Sequence, residues 1–496
     1  MSLLTRWSER PERALVALCG AQLAFWTLAP AFSHSAPPLD VVEMYAWGRE
    51  YVVATFKHPN LPGLVLEAVR RATGQAGWPA YLVSQLFIVA TFWAVFSLGR
   101  ELMDARRALA GVLMLTGVYF FSWTTPEFNH NVAQIPLWAL VTLFLWRGVA
   151  RGRWFDWALL GLFAGLSLWA KYSSVMLLGA AGVWMLWDAD ARKRLLGPGP
   201  WIALLVFVLS AAPQAIWLVA HDFQPFAYAA RRASDGGVLP TLEFLLTQVA
   251  NHLPMLVLIW AAGFFGKRTE GAPTPPEQRV LRFLLVLGLG PLALTALGGL
   301  FGAGLRASWG APMFNLSGLI VTALLSQKVS AERVQRLMIG AGVLIVTVSA
   351  LYFAHMRYGA ALTNDPLRGN WPQAELSRQL EGAWVSQTDA PLSIVAGDIW
   401  TAGLVGLQGR NPPSVLINGD FEISPWVSHA EARERGMLVV WRADEPRPPL
   451  IAELSAGREV RTAGAAVDVA PNAPPIVIDF VIIPPGEYRG TSVSED

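Results

Sequence analysis

Apolar runs long enough to cross a bilayer, each closed off by arginine or lysine, leave this chain one class of fold. A helix needs about 20 apolar residues to span the hydrocarbon core. The candidate runs lie near 13–32, 80–99, 108–122, 132–150, 157–170, 174–187, 201–220, 242–265, 280–302, 311–327 and 337–354. Every second connection is basic. It holds in turn Arg6, Arg10 and Arg13; Arg100, Arg106 and Arg107; Arg147, Arg151 and Arg153; Arg192, Lys193 and Arg194; Lys267, Arg268, Arg279 and Arg282; and Lys328, Arg333 and Arg336. Basic loops stay in the cytoplasm, so these runs predict an α-helical polytopic membrane protein of about eleven crossings, with its amino terminus inside and its carboxyl terminus outside. Composition agrees, since 54% of the 496 residues are hydrophobic and 15% charged, far from the balance of a soluble domain. Net charge is +2, which gives no basic excess for nucleic acid. Ala29-Pro30-Ala31 would pass as a leader-cleavage site, but the run before it is long enough to remain as an anchor. Cys19 is the single cysteine, which excludes an intramolecular disulfide and a thiolate metal site.

The stretch 157–187, "WALLGLFAGLSLWAKYSSVMLLGAAGVWMLW", is basic at both flanks and must therefore go out and return. Each half has only about 14 apolar residues, or about 21 Å at 1.5 Å per residue, short of the roughly 30 Å core. The turn at Lys171-Tyr172-Ser173-Ser174 is thus expected below the outer surface, where an ammonium calls for a partner or a wet cavity. A lysine at a helix end can also snorkel to the headgroups. Several tryptophans at run ends, among them Trp78, Trp123, Trp154, Trp201 and Trp309, read as interfacial anchors.

Residues 1–354 then form the membrane domain, with outer segments 33–79, 123–131, 221–241 and 303–310, and residues 355–496 a soluble α/β domain on the outer side. From residue 390 the pattern changes to short apolar runs, "LSIVAG", "SVLIN", "GMLVVW" and "PIVIDFVII", broken by Gly, Pro, Asn and Asp, with helix-like stretches at 400–407 and 428–435. No Gly-rich phosphate loop, no internal repeat and no exposed glycosylation sequon is visible, since Asn315-Leu-Ser lies in an apolar run. Ionisable groups gather in the outer segments: Asp40, Glu43, Lys57, His58, Glu127, His130, Lys171, His221, Asp222, Arg231, Arg232, Asp235 and Arg306. A pump or channel would place them in mid-span. Carboxylates beside cations at a membrane surface suit a transfer in which a carboxylate takes a proton from an acceptor hydroxyl while Lys and Arg hold a phosphate. Each acid taken alone also fits a solvated loop, and Arg231 with Arg232 also fits lipid headgroups.

"DVVEMYAWGRE" followed by "FKHPNLPGLVLEA" resembles the first outer loop of the C-type-fold glycosyltransferases, the superfamily of protein O-mannosyltransferases and the lipid A aminoarabinose transferase. "TTPEFNHN" (124–131) resembles their second acidic loop, "LWAKYSSVMLL" (168–178) their lysine turn, and "LRASWGAPMFNLSGLI" (305–320) the bacterial branch. The resemblance implies an inverting transfer of a sugar from a polyprenyl-phosphate donor to a glycan, lipid or protein hydroxyl at the outer face of a bacterial inner membrane. It implies a base at Asp40 or Glu43, with Asp40 preferred. Aligning Tyr45 and Trp47, however, sets Glu43 on the family's Glu and Val42 on its Asp. Glu127 stands for the second-loop Asp, and Asn60 for the second Pro of His-Pro-Pro. Lys171 would contact the lipid phosphate, with Arg306 and then Arg231 as further candidates. Lys57, His58 and Glu127 complete the substrate-binding set, His58 by orienting the acidic loop or the sugar. A divalent cation near Asp40, Glu43, Glu127 and His130 is allowed by residue type, though no ligand spacing marks it. Two other classes remain open: a transporter or flippase of envelope precursors, and a scaffold that presents the terminal domain.

Overall fold

The computed structural model describes residues 9–232, 236–265, 278–325 and 329–490. Arg6, Asp235, Lys267, Arg268 and Lys328 lie outside them. Seven helices among the described residues are long and apolar enough to cross a membrane: Pro11–Ser33, Trp78–Leu102, His130–Arg151, Pro198–Ala220, Val238–Ala261, Gln278–Leu300 and Ala331–Thr363. The chain is a multi-pass helical membrane protein. The other expected runs are also helical but shorter. Trp154–Ala170 and Val175–Trp187 have 17 and 13 residues, Ala105–Leu115 has 11, and Ser317–Leu324 has 8 after a 3-10 stretch at Ala307–Phe314. The run near 108–122 is cut short by packing. At Gly117 an added Cβ would lie 2.5 Å from the Met255 backbone nitrogen, so the chain turns there instead of continuing as helix.

The residues fall into two compact units, the first comprising those up to Leu28, Val53–Leu61 and Tyr81–Ala350, the second Ala29–Val52, Pro62–Ala80 and those from Leu351 on. In the first unit, helix Pro198–Ala220 shows Leu204, Leu205, Val208, Leu209, Ile216 and Val219 on its exposed side, the apolar face that lipid requires. Its other side meets Trp154–Ala170 through Gly161 and Gly165. Added Cβ atoms there would sit 2.2 Å from the Ala203 carbonyl oxygen and 1.9 Å from Ser210 Oγ. Lipid gives helices no hydrophobic reason to associate, so close backbone approach over small residues supplies the contact. Buried polar groups add specificity. Gln22 Nε2 donates to Gln85 Oε1 and to the Phe121 carbonyl, both at 3.0 Å, and Gln85 Nε2 donates to Thr125 Oγ1 at 3.0 Å. These bonds tie two long helices to the loop that carries Glu127.

The second unit is built on a five-stranded sheet of β1 (Ile394–Gly397), β2 (Ser414–Ile417), β3 (Met437–Arg442), β4 (Arg461–Ala465) and β5 (Ile476–Ile483), in the order β2-β1-β3-β5-β4. β2, β1 and β3 are parallel; β5 is antiparallel to β3 and β4. Four of these strands are the runs read from the sequence. β4 was not anticipated, because "RTAGA" has little apolar content and earns its place as the sheet's edge by pairing with β5. Ile394, Leu416, Met437, Val439, Ile451 and Val481 make the core. Asp398 Oδ1 accepts from Trp400 N and Thr401 N at 3.0 Å and starts helix Ile399–Leu404. Against Gly403 of that helix packs helix Leu39–Gly48: Val42 Cγ1 would be 2.6 Å from a Cβ at Gly403. Position 42, which the resemblance aligns with an Asp, is therefore a packing position here. Helix Leu39–Gly48 also meets Leu61–Thr73 through Gly48, whose Cβ would lie 2.0 Å from the Gly63 carbonyl oxygen.

On Leu61–Thr73 a buried Glu67 accepts from Arg70 Nε at 2.8 Å and Nη2 at 2.9 Å, and from Arg71 Nε at 2.8 Å. Burial pushes this carboxyl up, but the two guanidiniums outweigh it and hold it below the ordinary range. Such a group adds stability above its unfolded value near 4.5 and loses it as the pH falls through the lower folded value. Thermal unfolding of the detergent-solubilised protein between about pH 3 and pH 7 should thus show an acid-side drop that Glu67→Gln flattens. At neutral pH that variant should lose about 3–5 kcal/mol, because Arg70 is left buried without its partner. The helix contact is tested by Gly161→Ala, expected to lower the unfolding free energy by about 1–3 kcal/mol and the unfolding temperature with it. Gly182→Ala is the control: a Cβ there meets nothing within 4 Å, and better helix propensity should leave the protein unharmed.

Candidate active site

In the first unit residues 53–60 fold into a tight reversal. Ala54 and Pro59 form an antiparallel bridge, Thr55 N donates to the His58 carbonyl at 2.9 Å, and Asn60 N to the Val53 carbonyl at 3.1 Å. Thr55 Oγ1 accepts from the Lys57 and His58 amides at 3.3 Å each. The reversal sets Lys57 and His58 at its tip, and it is held from outside by two side chains. His130 Nε2 donates to the Pro59 carbonyl at 2.9 Å, and Gln214 Nε2 to the Val53 carbonyl at 2.9 Å. The His58 ring lies 4.4 Å from that of His130, Lys57 precedes His58, and the Lys171 ammonium is bonded to Asn131, the residue after His130.

The lysine turn is fastened to the first turns of helix His130–Arg151, which Asn129 caps by accepting from Asn131 N and Val132 N at 2.9 and 3.1 Å. Asn131, Gln134 and Trp138 follow at helical spacing and share one face. Asn131 Oδ1 accepts from Lys171 Nζ at 2.7 Å; Gln134 Nε2 donates to Ser173 Oγ at 3.1 Å and Ser174 Oγ at 3.2 Å; Trp138 Nε1 donates to Ser174 Oγ at 3.1 Å. Lys171 is 9% exposed, with its ammonium 5.6 Å from the centre of the Trp309 ring. Asn315 Nδ2 donates to the Ile135 carbonyl at 2.8 Å and Gln248 Nε2 to the Ala307 carbonyl at 3.1 Å, which fixes the 307–314 segment and so Trp309. Arg306 opens that segment and is exposed. Arg231 is exposed near the end of helix Gln224–Arg232. On the same helix Tyr228 meets Phe56 edge-on at 5.6 Å, and Phe226 stacks on Tyr172 at 5.4 Å. Glu127 is half-buried in the turn before the helix.

Asp40 and Glu43 sit in the second unit on helix Leu39–Gly48, three residues apart and hence on one face. Asp40 is half-buried and Glu43 buried, at 6% exposure. The structure thus gathers Lys57, His58 and Lys171 about His130 in one unit and pairs Asp40 with Glu43 on a helix of the other. Among the described residues no group of three or more His, Cys, Asp or Glu side chains is arranged to hold a metal ion. Sequence reasoning named His130 only as an outer ionisable group and a candidate cation ligand, not as the side chain that holds the 53–60 reversal beside His58, and it passed over Asn131, Gln134 and Gln214. The available signal was a row of amide side chains at helical spacing inside apolar runs, where lipid cannot satisfy them.

A family model described as dolichyl-phosphate-mannose-protein mannosyltransferase matches residues 57–217, the stretch that carries Lys57, His58, Glu127 and Lys171. The lipopolysaccharide core galacturonosyltransferase RgtA of Rhizobium johnstonii is 25% identical over 362 residues, 69% of each chain. The crystal structure of ArnT from Cupriavidus metallidurans bound to undecaprenyl phosphate superposes with a TM-score of 0.63 at 14% identity, over 94% of this chain and 97% of that one. The apo oligosaccharyltransferase of Archaeoglobus fulgidus is more distant, with a TM-score of 0.46 at 12% identity over 87% and 69%. By family match, relative and fold together, the chain is a membrane glycosyltransferase of the C-type fold.

Proposed function

We propose that this enzyme moves a sugar from a polyprenyl-phosphate donor, with inversion, to a hydroxyl of an envelope glycan, with the lipopolysaccharide core as the favoured acceptor. The observation that carries the reading is the gathering of Lys57, His58 and Lys171 about His130, inside a fold also seen with undecaprenyl phosphate bound in ArnT. Lysine ammoniums there suit a lipid phosphate. The acceptor class comes from likeness to the core galacturonosyltransferase.

In this reading the acceptor oxygen attacks the anomeric carbon from the face opposite the phosphate. Its proton passes to a carboxylate, Asp40 in the first instance and Glu43 in the second. The bond from the anomeric carbon to the phosphate oxygen breaks, and the polyprenyl phosphate leaves with the electron pair. Lys57, Lys171, Arg306 and Arg231 hold the phosphate and stabilise the charge that grows on it. His58 and Glu127 orient the sugar. A donor that is already activated needs no nucleotide site. The shorter helices complete the eleven crossings, the amino terminus is cytoplasmic, and the carboxyl-terminal sheet faces the periplasm.

Membranes lacking the endogenous protein, supplied with labelled polyprenyl-phosphate sugar and core acceptor, provide the test. Asp40→Asn or Glu43→Gln should lower the transfer rate by about 10²–10⁴, whichever residue is the base. Lys57→Ala and Lys171→Ala should raise the donor KM at equal expression. Wild-type rates in all four variants would remove the assignment.

A further inference from the structure

A charged cavity in the second unit has no part in the transfer step above. It measures about 540 Å³ and is lined by Arg49, Glu50, Glu67, Arg70, Arg71 and Arg410. Four guanidiniums thus face two carboxylates, and one of these, Glu67, is already engaged by Arg70 and Arg71. Arg49 directly follows the helix that bears Asp40 and Glu43. Its Nη1 donates to the Pro413 carbonyl, but its buried Nε has no hydrogen-bond partner. Glu50 Oε1 is likewise buried and unpartnered. Burial raises the Glu50 carboxyl, against the pull of the Ser414 hydroxyl and Arg49, which weakens its claim on the surrounding cations. Arg70 Nη1 reaches the Gly409 and Arg410 carbonyls only at 3.5 and 3.4 Å. The cavity therefore holds a cationic surplus, and one of its lining arginines keeps an unused buried donor.

We propose that this cavity binds an anionic substituent, a phosphate or carboxylate, of the acceptor glycan. The proposal rests on the transferase reading above. Guanidinium forks match the oxygens of such groups two at a time. An oxyanion supplies an acceptor for the Arg49 N–H and offsets the surplus charge at once, whereas a neutral occupant offers at most the acceptor and an apolar one neither. Acceptors would then be selected by their charged substituents, separately from the donor phosphate.

Arg71 and Arg410 are exposed, so Arg71→Gln and Arg410→Gln can be combined without opening the core. Two measurements on the full-length protein in detergent decide the proposal. Inorganic phosphate, titrated calorimetrically, should bind the double variant about tenfold or more weakly than wild type, the scale of one lost charge-assisted hydrogen bond. In transfer assays the ratio of kcat/KM for phosphorylated over enzymatically dephosphorylated core should fall by a similar factor. Unchanged phosphate affinity overturns the site. Weakened phosphate binding with an unmoved acceptor ratio overturns the glycan assignment in favour of free phosphate, and in favour of a lipid headgroup if binding to phosphatidylglycerol nanodiscs falls as well. If wild type transfers no sugar to any core, the transferase reading fails, and the phosphate titration still tells whether the cavity takes an oxyanion.

Discussion

In hydrocarbon a polar side chain can bond only to protein, and much of the first unit follows from how that demand is met. The amides of Asn131, Gln134, Gln214 and Asn315 would each be costly if left alone at membrane depth. Each finds a partner on a different segment: Lys171, Ser173 and Ser174, the Val53 carbonyl, and the Ile135 carbonyl. One set of bonds therefore satisfies buried groups and also places the irregular pieces, the reversal at 53–60, the lysine turn and the segment that carries Trp309. Irregular backbone is tolerated at such depth where protein encloses it. Here those same irregular pieces bear the lysines and the histidine of the candidate site.

The second unit solves a different problem, that of keeping charge inside a packed fold. Glu67 is stabilised as a carboxylate by two guanidiniums on its own helix, at the i+3 and i+4 positions. Arg49 and Glu50 are less well provided for, and their orphaned atoms mark a place where folding alone has not used all the available bonding. Helix Leu39–Gly48 is pressed between Gly63 and Gly403 by contacts too close for any larger residue. Asp40 and Glu43 are thus carried on an element whose position is set by packing.

The positions of the apolar runs, the lysine turn and four strands of the sheet were legible because each depends on local periodicity and length, though of the eleven runs read as crossings seven form helices long enough to span among the described residues. The third and tenth runs, near 108–122 and 311–327, came out shorter than read. Hydropathy records that a segment avoids water, but the backbone contact between Gly117 and Met255 that ends the first of these helices is invisible in a linear pattern. Val42 was legible as a departure from the family's Asp, but its role against Gly403 was not. The Glu67-Arg70-Arg71 spacing was present in "LEAVRR", yet nothing in it says that the glutamate is buried or that Arg410 lines the same cavity from more than three hundred residues away.

By itself, then, the sequence determined that the chain lies in a membrane, that a mixed α/β region follows, and that acids and cations cluster in particular connections. These are consequences of composition and of spacing along the chain, which a bilayer reads directly. Only the tertiary structure decided that Lys57, His58 and Lys171 converge on His130, and that Asp40 shares a helical face with a buried Glu43. It alone brought Arg49, Arg70, Arg71 and Arg410 to one cavity. Each of these depends on which partner a buried polar group or a glycine surface finds across the fold, a choice set by three-dimensional packing.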